Sequence, residues 1–462
     1  MSRIGILLPD GTGLRNYIYS DLIPNLRQKG AEIVLISSFS DSIVKEIKSL
    51  HGIDIQNIQI PPYKESIIES FYRELEAYSR IRRNARVADN PTILDFWNKR
   101  ANGFLQKIFY SLISLLSRFC SRNEKNIKKL SDKHLSLVKT EVAEALLREH
   151  QIDVLFCTHQ RAYSAIPLFE ASKKIGIKTY TVIYSWDNMP KGRLPFRPDY
   201  YFAWSEWMKN EFKKFYPDIQ KEKVLVTGTP QFEFYNKKEW ILSREDFCKQ
   251  IGVDPERKLI CYSGDDTLTS PFDPLYLDDL AESIQKIDDN KKVAVILRRC
   301  PVDTSGRFAP IIDKYPGLIF VSDPLWTKDH DGGWAGLYPT IDDVKLLCNI
   351  AYHCEAVYNL GSTMAFDFCM FNHPAYFINY DVQKTSPWST KTTYRYQHFR
   401  SMPSKDCVMW VNSKGELIKL MDDFVHSEQP IQTKAKEWFN IINSGASEVK
   451  PSDKITIYLT QK

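Results

Sequence analysis

The sequence predicts an α/β protein of two Rossmann-like domains that face each other across a cleft, with a helical insertion in the first domain. Three observations predict this fold. Short apolar runs alternate with helical patterns, as in parallel βαβ units; the alternation stops at residues 236–256 and restarts near residue 257; and residues 64–150 carry helical patterns without strand signals. A chain of 462 residues is long enough for two or three domains.

The break in this rhythm divides the chain. We assign residues 1–240 to an N-terminal domain that contains the insertion at about 64–150, and residues 241–430 to a C-terminal domain. Residues 431–462 are predicted to form a helix and tail that pack back on the N-terminal domain.

Each element is predicted from its own pattern. Apolar runs bounded by turn-forming residues predict strands at 4–8, 32–37, 154–157, 179–184, 200–204 and 224–227, and in the second half at 259–262, 292–297, 318–321, 356–359 and 375–378. Helical periodicity predicts helices at 15–29, 165–174, 274–287, 342–353 and 362–371.

Within the insertion, residues 104–119 form an amphipathic helical pattern. Apolar side chains such as Leu105, Ile108 and Leu112 share one face, and Lys107 and Arg118 lie on the other. Sixteen residues rise about 24 Å, which is less than the ~30 Å hydrocarbon core of a bilayer. Two interpretations stay open: the helix packs on its own domain, or it makes a peripheral contact with a membrane.

Composition and charge narrow the function. The net charge is +5, and residues 1–130 carry more basic than acidic side chains, so this part could face anionic lipid or a phosphate-bearing acceptor. No nucleic-acid-binding motif accompanies the charge, and we expect no nucleic-acid partner. The nine cysteines form no CxxC pair or metal-ligand spacing, which indicates reduced thiols, no bound metal and a cytoplasmic protein.

The clearest local signal is Asn359-Leu360-Gly361-Ser362-Thr363, where a predicted strand passes into a predicted helix. The first amides of a helix lack intrahelical partners and carry a positive partial charge, which suits phosphate. Gly361 allows close approach, and Ser362 and Thr363 add hydroxyl donors. Ordinary helix capping would explain the same residues.

Two further residues lie at neighbouring strand ends. Arg298 ends the strand at 292–297, where a guanidinium can neutralise a diphosphate, and Gly264 lies in a turn after the strand at 259–262. Ligands of doubly wound sheets bind outside the carboxyl ends of strands. We therefore predict a nucleotide-diphosphate site at this edge of the second sheet.

The first domain has its own loop after a strand, Pro9-Asp10-Gly11-Thr12-Gly13. Its glycine pattern lacks the third glycine of a dinucleotide fingerprint, and Ser37-Ser38 stands where an acidic residue would bind ribose. A hydride-transfer enzyme is therefore disfavoured. We predict instead that Gly11, Gly13 and Arg15 shape an acceptor site, with Asp10 a candidate base.

Other polar residues follow strands of the same half. His159 follows the strand at 154–157, and Asp187 and Asn188 follow the strand at 179–184. Imidazole and carboxylate groups can take a proton from an attacking hydroxyl. We rank His159 first as general base because the unperturbed pKa of histidine, near ~6.5, is close to working pH; Asp10 is second and Asp187 third. A hydrogen-bonded structural role stays open for each.

These residues also carry a family resemblance. The segments Ser185-Trp186-Asp187-Asn188, Trp204-Ser205-Glu206, Val226-Thr227-Gly228-Thr229-Pro230 and Gly361-Ser362-Thr363-Met364-Ala365-Phe366-Asp367 resemble those of bacterial surface-polysaccharide glycosyltransferases with the GT-B fold. This group is distantly similar to UDP-N-acetylglucosamine 2-epimerases and to CDP-glycerol glycerophosphotransferases. The resemblance covers most of residues 150–400 and is weak over the insertion.

The resemblance implies a function and a separate binding role for each domain. GT-B enzymes bind the nucleotide sugar on the C-terminal domain and the acceptor on the N-terminal one, generally without a metal ion or cofactor. It adds Trp326, Asp343 and Asp367 to the donor-binding residues and implies a nucleotide-diphosphate sugar, a UDP-sugar above all, as co-substrate. The expected acceptor is a hydroxyl of a surface glycan, free or lipid-linked. We further predict that Arg395 and His398 border the cleft.

Other functions stay open. Arg298-Arg299-Cys300-Pro301 has a cysteine where related enzymes often carry histidine, which disfavours polyol-phosphate transfer from a CDP-alcohol. A 2-epimerase needs several acid and base groups that the sequence does not bring together, and a non-catalytic nucleotide-binding protein is a third alternative. The sequence does not decide whether the transfer inverts or retains the anomeric configuration.

Overall fold

The computed structural model describes residues 2–97, 101–329, 336–427 and 433–461. Two parallel sheets organise them, which confirms the predicted class of two Rossmann-like domains. In the described part of the chain, no helix has the length and apolarity needed to cross a membrane.

The first sheet has seven parallel strands in the order β3-β2-β1-β4-β5-β6-β7. Their bounds are Arg3–Leu8 (β1), Glu32–Ser37 (β2), Gln56–Gln59 (β3), Val154–Cys157 (β4), Lys178–Val182 (β5), Tyr200–Ala203 (β6) and Val224–Val226 (β7). The inner strands are apolar runs because both faces of a doubly wound sheet are covered by helices. The order reverses between β1 and β4, which creates a crevice at their carboxyl ends.

The helices of this half include the insertion between β3 and β4. They are Gly11–Gly13 (α1), Leu22–Gln28 (α2), Asp41–His51 (α3), Ile67–Ala88 (α4), Phe104–Cys120 (α5), Glu124–Ser136 (α6), Glu141–Glu149 (α7), Ile166–Ile175 (α8) and Glu206–Phe215 (α9). Helix α4 begins with a capping box in which Ser66 and Glu69 bond each other's backbone amides.

The second sheet repeats the topology with six parallel strands in the order β10-β9-β8-β13-β14-β15. The strands are Lys258–Ser263 (β8), Val293–Arg298 (β9), Ile319–Val321 (β10), Ala356–Asn359 (β13), Ala375–Ile378 (β14) and Met409–Val411 (β15). A separate antiparallel pair, Trp326–Lys328 (β11) and Leu337–Pro339 (β12), lies between β10 and the next helix. The order of this sheet reverses between β8 and β13.

The helices of the second half continue to the end of the chain. They are Arg244–Ile251 (α10), Asp273–Gln285 (α11), Ala309–Lys314 (α12), Ile341–His353 (α13), Met364–Cys369 (α14), Thr390–Thr393 (α15), Lys414–His426 (α16), Thr433–Ile442 (α17) and Pro451–Thr460 (α18). The last helix packs on the first domain, where the Tyr180 hydroxyl donates to the carbonyl of Tyr458 at 2.9 Å.

The structure differs from the sequence prediction at several elements. The predicted helix at 15–29 is a π-helical turn, Leu14–Ile18, followed by α2. Ser20 separates the two, because its hydroxyl donates to the Tyr17 carbonyl and accepts from the Leu22 amide in place of a continuous helical ladder. Strands β3, β11, β12 and β15 are too short or too polar to give a strand pattern.

Candidate functional site

The reversal point of the first sheet brings Asp10 and His159 together. Asp10 follows β1 with an extended backbone, and its Oδ1 accepts hydrogen bonds from the amides of Thr12 at 3.0 Å and Gly13 at 3.3 Å. Its other oxygen, Oδ2, is hydrogen-bonded to Nδ1 of His159, which follows the neighbouring strand β4. The carboxylate is therefore fixed by the backbone on one side and fixes the imidazole on the other.

The electrostatics of this pair favour an ionised carboxylate. Burial alone would raise the pKa of Asp10, but the hydrogen bond and the charge of His159, with the two amides, hold it below its ordinary value. With Nδ1 facing Asp10, the proton on the neutral ring is held at Nδ1 and Nε2 is left as the basic nitrogen. Nε2 has no hydrogen-bond partner within the described chain.

Two glycines allow the close packing of this loop. A Cβ atom at Gly13 would lie 2.1 Å from Oγ1 of Thr158, the residue before His159. A Cβ atom at Gly11 would lie 2.6 Å from the carbonyl oxygen of Leu337, which belongs to β12 of the second domain. The loop is thus pressed between the two domains, and both glycines are explained by steric contact.

A cavity of about 460 Å³ adjoins the pair and is hereafter the first-domain cavity. Tyr184 borders it, with its ring 4.2 Å from the ring of His159 in an edge contact. The lining also includes two cationic side chains, Arg161 and Arg193. Arg161 donates a hydrogen bond to Oδ1 of Asn188 at 3.1 Å, so Asn188 lies next to a residue that lines this cavity.

The reversal point of the second sheet is built from the loops after β8 and β13. Gly361 has a positive φ of 69°, and a Cβ there would lie 2.7 Å from the Phe399 ring. The Ser362 amide donates to Oδ1 of Asn359 at 2.9 Å, and the Ser362 hydroxyl accepts from the Met364 amide at 3.3 Å. The helix begins two residues later than predicted, and Thr363 is exposed at its start.

A second cavity of about 410 Å³, the interdomain cavity, separates the two domains at these loops. The first domain contributes the segment that follows β5 and the second contributes the loops after β8 and β13. Its lining includes Phe96, Ser185, Trp186, Asp187, Lys191, Asp265, Leu268, Thr269, Gly361, Ser362, Thr363, Trp388, Thr393, Tyr396 and His398.

Asp187 lies in this cavity with its oxygens already bonded. It accepts hydrogen bonds from the Ser185 hydroxyl at 2.6 Å and the Asn188 amide group at 3.0 Å, and it forms an ion pair with Lys191. Burial alone would raise the pKa of Asp187, but the charge of Lys191, the charge that His398 carries when it is protonated in acid, and these hydrogen bonds hold it well below its usual range. Asp187 therefore braces its own turn.

His398 packs its ring against Trp186 with centroids 4.6 Å apart. Burial lowers the pKa of His398 to about 4, although Asp187 opposes the shift, so the imidazole is neutral at neutral pH. Arg395, three residues earlier, is exposed, and its carbonyl accepts from the Asn90 side chain at 2.9 Å. This contact joins the second domain to the insertion.

Three of the predicted donor residues form one hydrogen-bonded cluster. Asp343, in the first turn of α13, accepts from the Arg298 guanidinium at 2.6 Å and from Nε1 of Trp326 at 2.8 Å. Arg298 is 6% exposed, so its charge is balanced inside the domain. Gly264, whose amide donates to the Arg298 carbonyl at 2.9 Å, connects this cluster to the loop after β8.

Asp367 and Arg15 lie apart from both cavities. Asp367 is buried, and its Oδ1 accepts from the Tyr235 hydroxyl at 2.6 Å. Burial raises the pKa of Asp367, and the positive charge of Arg15 opposes this shift. The two residues thus belong to the junction between the domains.

The structure also places residues at the cavities that the sequence did not single out. The predicted strand at 179–184 includes Tyr184, although β5 ends at Val182. Tyr163 begins the short 3₁₀ turn Tyr163–Ala165, and Arg193 and Trp388 lie in loops without a recognisable motif. Their positions after strands, or close in sequence to Asp187, are the sequence signal that could have identified these residues. In the described residues, no group of three or more His, Cys, Asp or Glu is placed to hold a metal ion.

Comparison with known proteins gives structural matches only. No protein family and no curated protein matches the chain. A putative UDP-N-acetylglucosamine 2-epimerase from Listeria monocytogenes matches with a TM-score of 0.55 and 10% identity, covering 98% of this chain and 94% of its own.

Two further structures match at a similar level. S. aureus MnaA in a co-structure with UDP gives a TM-score of 0.51 and 12% identity, with 98% and 95% of the two chains covered. A glycosyltransferase from Rickettsia africae gives 0.51 and 12%, with 99% and 97% covered. The predicted distant similarity to UDP-N-acetylglucosamine 2-epimerases and GT-B-like enzymes is confirmed at the level of the fold.

Proposed function

We propose that this protein is an enzyme acting on a UDP-sugar, and that it transfers the sugar to a hydroxyl of a second substrate. The observation that carries the proposal is the His159–Asp10 pair beside the first-domain cavity. The Nε2 atom of this oriented imidazole is buried and bonds no other group of the described chain, so it can take a proton from an attacking hydroxyl that reaches it in the substrate complex. The arrangement favours an inverting transfer, in which the base acts from the domain opposite the donor.

The donor is proposed to occupy the interdomain cavity. Its diphosphate would lie against Gly361, Ser362 and Thr363, where the exposed Thr363 hydroxyl and the backbone at the start of α14 can donate hydrogen bonds. Its nucleoside would extend toward the Arg298–Asp343–Trp326 cluster at the end of β9, which is separated from β13 by β8 in the sheet. The putative UDP-N-acetylglucosamine 2-epimerase and the UDP co-structure among the fold neighbours support this class of donor.

The acceptor is proposed to occupy the first-domain cavity. Arg161 and Arg193 in its lining suit an acceptor that carries phosphate, as the end of a lipid-linked glycan does. A single-substrate isomerase has no need of this second cavity beside the base. The cavity therefore favours transfer over 2-epimerisation. 2-Epimerisation is the second candidate because a putative epimerase is among the fold neighbours.

The test is a product analysis that gives a different result for each reaction. The protein is incubated with UDP-N-acetylglucosamine in D₂O, with and without a polyprenyl-diphosphate sugar as acceptor, and the products are identified by NMR and mass spectrometry. Transfer releases UDP only with the acceptor, and the recovered donor carries no deuterium. Epimerisation at carbon 2 breaks the C–H bond, so a deuterated UDP-sugar that forms without acceptor would overturn the transferase proposal. A parallel incubation with CDP-glycerol detects polyol-phosphate transfer.

A further inference from the structure

Helix α5 turns its apolar face to solvent. The six large apolar side chains of one 100° arc are each 44–80% exposed: Phe104, Leu105, Ile108, Leu112, Leu115 and Phe119. The opposite side of the helix holds Ile113 and Ser117, both fully buried. The helix therefore packs on its own domain through this opposite side, and its domain leaves the apolar face uncovered in the described part of the chain.

The exposed face extends onto helix α4. The rings of Phe71 and Phe109 are in edge contact at 5.9 Å, and Arg82 donates to the Ser117 hydroxyl at 2.8 Å, so the two helices run side by side in the same direction. The first turn of α4 consequently lies at the level of the first turn of α5. Ile67 and Ile68 there are 80% and 59% exposed. Soluble monomers seldom expose a contiguous apolar surface beyond a few hundred Å².

This surface is hereafter the α5 face. Lys107 and Arg118 of α5 lie beside its apolar arc, and further basic side chains follow in α6. Residues 104–133 contain seven Lys and Arg against two acidic residues. Both acids are already paired, Glu124 with Arg80 and Arg83 and Asp132 with Lys128. The remaining cations are exposed and form no ion pair within the described chain: Lys107, Arg118, Arg122, Lys125, Lys129 and Lys133.

The arginines of α4 do not belong to this cationic border. Arg80 is fully buried among acidic side chains, Arg82 bonds Ser117, and Arg86 bonds Ser121. Their role is to hold α5 and α6 on α4. The helix is thereby fixed with its apolar arc outward, and the excess charge comes from α5 and α6 alone.

We propose that the α5 face docks on the surface of an anionic lipid bilayer. A helix with an apolar arc bordered by Lys and Arg lies in the plane of the interface, where its apolar side chains enter the headgroup boundary and its cations face anionic lipids. Charge complementarity favours this occupant over a second copy of the chain. A two-fold contact would place the same cations of both copies against each other.

Docking through α5 would place the first-domain cavity near the bilayer. Arg73 of α4 lies over the ring of Tyr163, which lines that cavity, at 4.1 Å, and Phe71 of the same helix contacts α5. A lipid-linked acceptor would then reach His159 from the membrane. This last step rests on the proposed function, whereas the docking itself does not.

The experiment measures co-sedimentation of the full chain with vesicles, without nucleotide or acceptor. The wild type should bind vesicles of phosphatidylcholine containing phosphatidylglycerol, less at high salt, and bind pure phosphatidylcholine weakly. The triple variant Leu105→Gln, Ile108→Gln and Leu112→Gln removes three exposed apolar side chains and should weaken binding at least about a hundredfold. Lys107→Gln with Arg118→Gln should weaken binding to the anionic vesicles alone, about fivefold per charge.

Matched controls separate this effect from a general loss of surface apolarity. Val142→Gln and Val449→Gln change residues that are 68% and 41% exposed elsewhere, and they should bind vesicles as the wild type does. Absence of vesicle binding by the wild type overturns the proposal. A wild type that dimerises in solution, with a monomeric triple variant, overturns it in favour of a second copy. UDP affinity should be the same in all variants, so failure of the docking is distinguishable from failure of the proposed function.

Discussion

At the scale of single residues, the two candidate carboxylates differ in what their oxygens bond. Asp10 has one oxygen on backbone amides and the other on His159, so it fixes the orientation of the imidazole that we propose as the base. The oxygens of Asp187 bond Ser185, Asn188 and Lys191 within its own turn. The same residue type at equivalent strand ends thus orients the imidazole of another loop in one place and braces its own turn in the other.

Substitution of the three candidate bases distinguishes these roles. His159→Ala should lower the rate of transfer about 10²–10⁴-fold and leave UDP affinity unchanged, because the base acts only on the acceptor hydroxyl. Asp10→Asn should also lower the rate, since the imidazolium loses its counter-charge. Asp187→Asn should keep near-normal turnover. The measurement is kcat with UDP affinity by calorimetry, and a result in which only Asp187→Asn loses turnover would contradict the assignment.

At the scale of elements, the ends of strands and helices hold the predicted donor residues together. The Arg298–Asp343–Trp326 cluster joins the end of β9, the start of β11 and the first turn of α13. Thr340 caps α13 by accepting from the Asp343 amide at 3.1 Å, so the carboxylate is presented at a helix start. Three elements of the second domain are thereby locked in one arrangement.

Removal of Arg298 should therefore affect stability as well as binding. Arg298→Ala leaves Asp343 buried without its counter-charge and should lower the free energy of unfolding by about 3–5 kcal/mol. The neighbouring exposed pair Arg299–Asp323 is the control, and Arg299→Ala should cost about 1 kcal/mol or less. Urea unfolding measures both.

The double variant Arg298→Met with Asp343→Asn should recover most of this stability, because no unpaired charge is left. UDP affinity measured on that folded variant then tests the contact between Arg298 and the donor that the sequence predicts, which should contribute about 1.5–3 kcal/mol. Equal stability of Arg298→Ala and Arg299→Ala would show that the cluster is not a structural lock.

At the scale of the whole molecule, the C-terminal segment ties the two domains together. Trp438 of α17 contacts Trp186 of the first domain and Phe366 of the second, with ring centroids at 5.7 and 4.7 Å. Helix α18 then returns to the first domain, where Ser452 donates to the Glu233 carboxylate from its amide and its hydroxyl, both at 2.8 Å. Glu233 lies in the segment that links the two sheets.

This contact should make stability depend on pH. Burial raises the pKa of Glu233 to about 7, only partly offset by the hydrogen bonds from Ser452. A carboxyl whose pKa is raised on folding binds its proton more tightly in the native state, so its contribution is complete below about pH 4.5 and lost as pH rises through 7. The contribution of Glu233 to the free energy of unfolding should fall between pH 5 and 8, so the wild type should lose on the order of 1–3 kcal/mol more over this range than Glu233→Gln does.

Urea unfolding at several pH values measures this change. Burial raises the pKa of Glu211 to about 8, so Glu211 still contributes to the change of stability with pH in the Glu233→Gln variant. The exposed Glu222→Gln is the control and should show the full slope of the wild type. An identical slope in Glu233→Gln would contradict the assignment.

The sequence by itself determined the fold class and most of the parallel strands. Strands β2, β4, β13 and β14 have the predicted bounds. Inner strands are buried on both faces and are therefore continuous apolar runs, which are recognisable in the sequence. It also placed polar residues at strand ends, since turns follow buried strands. Edge strands such as β3 and the π-helical turn were missed because their side chains are polar or their hydrogen bonds are local.

Only the tertiary structure decided which of those residues meet. Asp10 and His159 are 149 positions apart in the chain, and their contact follows from the strand order that makes β1 and β4 neighbours. Arg298 lies at the predicted strand end, yet its partner Asp343 and its burial depend on how α13 docks. The outward face of α5 was equally undecided, because periodicity defines an apolar arc but packing alone decides whether another element covers it.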